Sequence, residues 1–105
     1  LIQQALVHLI RNSVEAMPHG GELVVEVAAE EGWVRIVIRD SGRGMNKENV
    51  GHAADPFFTT KIIGTGMGLT LVKRILEDHG GSLTLHNQSK GGLRATVALP
   101  RVVEV

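Results

Sequence analysis

The chain has 105 residues, 43% of them hydrophobic and 21% charged, which describes one small globular α/β domain and excludes a disordered tail. Eleven basic side chains balance eleven acidic ones, so the electropositive footprint of a dedicated nucleic-acid binder is missing. Cysteine is absent, which excludes disulfides, zinc–thiolate centres and thiol nucleophiles. No apolar run approaches the roughly 20 residues of a membrane span, and no signal-peptide pattern is present. The first residues already follow helical spacing without an initiator Met, so the chain reads as a piece of a longer protein.

From Leu1 to Met17, Ile2, Leu6, Leu9, Ile10 and Met17 fall on one helical face, and His8, Arg11, Asn12 and Glu15 on the opposite stripe. Pro18, His19, Gly20 and Gly21 end that helix. Glu22–Ala29 alternates, with Leu23, Val25 and Val27 on one side; after a turn at Glu30-Glu31-Gly32, Trp33–Arg39 alternates with Val34, Ile36 and Ile38 inward. The pair predicts an antiparallel hairpin. Between Asp40 and Thr65 periodicity is lost apart from a short helical spacing near Asn46–Val50, and so long an irregular stretch in a small domain is usually functional. A second helix begins at Gly66, buries Leu69, Val72 and Leu76, and stops at Gly80-Gly81. Two further strands carry Leu83 and Leu85, then Leu93, Ala95, Val97 and Leu99, separated by a polar loop over Gln88–Gly92. Helix, hairpin, loop, helix and strand pair predict an α+β fold. It is a two-layer sandwich in which helices cover one face of a mixed, mostly antiparallel sheet, and residues 1–105 form one domain.

Four clusters carry chemistry. His8, Arg11, Asn12 and Glu15 project from one helical patch, where Asn12 can offer an amide oxygen to Mg²⁺ and His8 and Arg11 can face anionic oxygens. A solvated polar stripe would look the same. Asp40 shares strand parity with Ile36 and Ile38 and so points to the core side, where its carboxylate needs a donor. Local turn amides or a purine amino group would each supply one, and Gly42 and Gly44 let backbone pass close to a flat ring. Gly64-Thr65-Gly66-Met67-Gly68-Leu69 opens the second helix with backbone N–H groups suited to phosphate, although it is neither a dinucleotide fingerprint nor a P-loop. Phe57 and Phe58 can pin a flap to the core, leaving Thr59, Thr60 and Lys61 to meet phosphates.

Together these clusters resemble the ATP-binding catalytic domain of two-component sensor histidine kinases, a branch of a superfamily that includes type II topoisomerase, mismatch-repair and chaperone ATPases. HLIRNSVEAM is similar to the N box, DSGRGM to the first glycine box, DPFFTTK to the F box and GTGMGL to the second glycine box. LVKRILEDHGGSL is similar to the family's helix-to-strand continuation, and FFTTK with its short flap looks most like the nitrogen-regulation type.

The resemblance implies a Bergerat-type fold and a domain that binds ATP and Mg²⁺. Asn12 would hold the metal, with His8, Arg11 and Lys61 near the phosphates and His8, Asn12 and Lys61 serving transfer. Asp40 would accept from the adenine amine, Gly42 and Gly44 would shape the base pocket, and Gly64, Thr65, Gly66, Gly68 and Leu69 would form the hinge and phosphate end of a lid over about 46–65. The hydrolytic relatives carry a Glu base four residues before the Asn. Here that position is His8, which favours phosphoryl transfer over water attack. The implied acceptor is a histidine on a separate helical dimerisation domain, since none of His8, His19, His52, His79 and His86 lies in the acceptor's context. A response regulator would follow indirectly, in the cytoplasm, with no nucleic acid and no direct membrane contact. The alternatives are a regulatory nucleotide-binding module without transfer, or an autonomous ATPase of the same superfamily.

Overall fold

The computed structural model describes residues 2–44 and 66–101. Helix α1 spans Ile2–Glu15 and helix α2 Gly66–Asp78; the strands are β1 (Leu23–Glu30), β2 (Trp33–Asp40), β3 (Ser82–Asn87) and β4 (Leu93–Pro100). The sheet order is β1-β2-β4-β3, and every pairing among the described strands is antiparallel. The expected hairpin forms with Glu30 opposite Trp33, so its turn is the two residues Glu31 and Gly32. A Schellman closure ends α2, with Gly81 N–H donating to Leu76 C=O at 2.7 Å and Gly80 N–H to Glu77 C=O at 2.9 Å.

Both helices lie on one face of the sheet, α1 over β2 and α2 over β3, with α1 packed along α2. Their shared core is Ala5, Leu9, Leu69, Val72, Ile75 and Leu76 against Ile38, Ala95 and Val97. The buried line of α1 is Ala5, Leu9 and Ser13, while Ile2, Leu6 and Ile10 only flank it and Met17 lies beyond the helix end. The expected apolar stripe is therefore shifted. A helix wedged between a sheet and a second helix is approached most closely along its small residues, and its larger apolar side chains seal the edges.

The hairpin register places Val25 opposite Ile38 and Val27 opposite Ile36, on the helix side as their alternation predicts. Yet Val25 is 48% and Val27 68% exposed, because β1 is the outermost strand and the helices lie over β2 and β3. The opposite face of the sheet is mixed, with exposed ion pairs Arg35–Glu30 and Arg39–Glu26 across the hairpin beside the half-exposed Trp33. Pairs this exposed contribute little to stability. No helix among the described residues is long and apolar enough to cross a membrane.

Candidate functional site

Asp40 is the last residue of β2 and is only 3% exposed, on the core side as its strand parity requires. A carboxylate so deeply buried must have donors. Gly42 N–H donates to its Oδ1 at 3.0 Å and Leu93 N–H to the same oxygen at 3.2 Å. One local amide and one from the start of β4 therefore hold one carboxylate oxygen, and neither bond uses Oδ2. The turn that supplies the first amide is locked to the end of α1. Arg43 N–H donates to Ala16 C=O at 3.4 Å, and Gly42 lies so close to that carbonyl that a Cβ would sit 2.6 Å from it.

Across from Asp40, α1 turns Asn12 and Ser13 toward the same space. The two anchors expected from the sequence, Asn12 and Asp40, line one narrow cavity, with about 20 Å³ of room for a water-sized molecule. Ile38, Leu69, Leu85 and Leu93 form apolar walls, and Gly44 also lines it. Apolar walls around a single carboxylate have the chemistry to meet a flat heteroaromatic ring bearing an exocyclic N–H donor, and the walls must part to admit one. Asn12 Nδ2 is buried and has no hydrogen-bond partner, the one such side-chain atom among the described residues. Leaving such a group unmade costs about 1–3 kcal/mol, a cost that a polar ligand would relieve.

His8 and Arg11 do not line this cavity. They face a separate, open groove on the outer side of α1, together with Gln3, Gln4, Val7 and Leu71 of α2. Asn12 lies one turn along the helix from His8, so it stands between the enclosed slot and the open groove. Leu69 lines the cavity, and Gly66 and Gly68 fall in the first turn of α2. Thr59, Thr60, Lys61, Gly64 and Thr65, with the expected lid over 46–65 and the short helix near Asn46–Val50, lie outside the described residues. Among the described residues no three His, Asp or Glu side chains come together as a metal site.

Sequence reasoning missed Ser13, Gln88 and the Leu93 amide. Ser13 was within reach, since Ala5, Leu9 and Ser13 repeat every four residues and mark the helix line nearest the sheet. Gln88 had no local signal; in sequence it belongs to a polar hairpin loop, yet its Nε2 donates to the Asp40 backbone carbonyl at 2.8 Å.

Residues 1–103 match the sequence family described as histidine kinase-, DNA gyrase B-, and HSP90-like ATPase. Sporulation kinase C of Bacillus subtilis (strain 168) is 35% identical over 94% of this chain and 23% of that protein. The C4-dicarboxylate transport sensor protein DctS of Rhodobacter capsulatus is 42% identical over 95% of this chain and 16% of that protein. The chain thus spans less than a quarter of these curated relatives. Among solved structures, the catalytic domain of histidine kinase ThkA superposes with a TM-score of 0.84 at 31% identity, covering 98% of this chain and 68% of that one. With nearly its whole length matched, and with a fold shared with a histidine-kinase catalytic domain, the chain belongs to the histidine kinase-, DNA gyrase B- and HSP90-like ATPase family.

Proposed function

We propose that this chain is the ATP-binding catalytic domain of a protein-histidine kinase, which binds Mg-ATP and presents its γ-phosphate to a histidine on a separate dimerisation domain. The observation that carries the reading is the shared cavity of Asp40 and Asn12. Asp40 Oδ1 is immobilised by two backbone amides, so Oδ2 is the acceptor an adenine amine would meet. A hydrogen bond to a charged acceptor contributes about 1.5–3 kcal/mol. The apolar walls would take the ring faces, and the triphosphate would run past Asn12 toward the open groove of His8 and Arg11.

The donor set fits a metal that arrives with the nucleotide. Asn12 offers one hard carboxamide oxygen once its amide is turned, and no described cluster could hold a cation without phosphate oxygens. When bound, Mg²⁺ supplies charge neutralisation between phosphate oxygens. His8, where hydrolytic relatives would place a carboxylate base, leaves water unactivated and the γ-phosphate intact for an incoming imidazole. Lys61, Thr59, Thr60 and the glycines at 64, 66 and 68 would close around the phosphates from the lid. A response regulator would receive the phosphoryl group afterwards.

The full-length protein, or the domain mixed with its acceptor domain, should transfer label from γ-labelled ATP to a histidine, giving an acid-labile phosphoramidate. Release of inorganic phosphate without acceptor labelling would instead mark an ATPase, and neither product a silent nucleotide-binding module.

A further inference from the structure

The β3–β4 loop, which as sequence is only a polar connection, is built into the same site. The β2–β4 ladder ends at Arg39 opposite Arg94, one residue short of Asp40. Past that point Asp40 keeps its ladder partner Leu23 on β1, and on the β4 side it is held by the loop and by the first residue of β4. Gln88 Nε2–H donates to the Asp40 backbone carbonyl at 2.8 Å, and Leu93 N–H donates to its Oδ1 at 3.2 Å. The loop is braced internally, with Gln88 N–H donating to Gly92 C=O at 2.9 Å and Gly91 N–H to Gln88 C=O at 3.1 Å. Gly92, buried at φ +91°, lies so close against the Asp40 carbonyl that a Cβ there would collide with it. Gly44 closes the far side, where a Cβ would meet Asn87 Oδ1 at 2.9 Å and Gly92 O at 3.1 Å.

Resting on the adenine reading above, we propose that Gln88 is a positioning residue for base recognition: its amide fixes the Asp40 backbone at the strand end and so aims the carboxylate at the purine amine. The physical reason is reach. A single bond to a ligand amine depends on the acceptor's position within a few tenths of an ångström, and the ladder that pairs Asp40 with Leu23 of β1 fixes it on one side only. Gln88 supplies a side-chain donor on the β4 side, where the ladder has ended. It touches neither ring nor phosphate, so its loss should be felt only by a base that uses Asp40.

The test compares Mg-ATP with Mg-ITP, whose 6-oxo group lacks the donor, by calorimetry on the full-length protein. Gln88→Met keeps the length of the side chain and removes its donor. It should weaken ATP binding roughly three- to tenfold and leave ITP binding within about twofold, so the ATP/ITP preference falls. Gln88→Glu, which sets a carboxylate against the carbonyl, should reduce the preference at least as far. An unchanged preference in both variants, or equal losses for both nucleotides, overturns the proposal and makes Gln88 an ordinary loop staple. So does a variant that does not fold, judged by its nucleotide-free melting midpoint. A wild-type protein that binds ITP as well as ATP defeats the adenine reading itself, and this inference with it.

Discussion

The two recesses beside Asn12 are built in opposite ways. The slot at the end of β2 is enclosed, walled by leucine and isoleucine, with its one carboxylate 3% exposed and pinned by amides from two different turns. The groove on the outer side of α1 is open and mixed in lining, with exposed Val7 and Leu71 beside Gln3, Gln4 and His8, and Arg11 stands there exposed. The contrast matches what each end of a nucleotide needs. A neutral ring is recognised by shape and by hydrogen bonds that gain strength where water is excluded. A triphosphate stays hydrated and is met by charges that need no deep burial, and these act through a screened field. One recess therefore holds its carboxylate fixed between closely packed walls, and the other consists of groups exposed along an open groove.

The largest effect should come from breaking the enclosed half at its steric centre. Gly92→Val sets a branched side chain at φ +91° against the Asp40 carbonyl. It should cost about 3 kcal/mol in denaturant unfolding, with a fall in Tm of more than about 10 °C. A variant as stable as the parent would show that the loop does not interlock with β2. Next is Asp40→Ala, which should abolish the thermal stabilisation by Mg-ATP while the circular dichroism of the fold persists. It also leaves the Gly42 and Leu93 amides without their acceptor, so the ligand-free midpoint should drop by several degrees. A midpoint shift with Mg-ATP equal to that of the parent would remove the base from this slot. The smallest effect belongs to the open half. Arg11→Ala should weaken Mg-ATP only about two- to fivefold at low salt, and the difference should fade as ionic strength rises. A large, salt-insensitive loss would mean that Arg11 sits in an enclosed site after all.

Asp40 shows how much could be read without coordinates. Its parity with Ile36 and Ile38 on a short alternating strand predicts a buried carboxylate, and burial is what the fold delivers. Asn12 is less legible: helical spacing groups it with His8 and Arg11 on the polar stripe, whereas the fold turns it to the cavity and leaves those two on the outer groove. Val25 and Val27 show where the reading stops. Alternation predicts their side of the sheet correctly, but whether anything covers that side depends on where α1 and α2 come to rest.

Periodicity and glycine placement, which are local properties, thus sufficed for the described helices and strands, the antiparallel hairpin and the burial of Asp40. Strand order, the sharing of one cavity by residues twenty-eight positions apart, and the capture of Asp40 by Gln88 across forty-eight positions were decided only by tertiary packing. The reason is that a sequence pattern reports which way a side chain points from its own backbone. What it meets there depends on every other element competing for the same core.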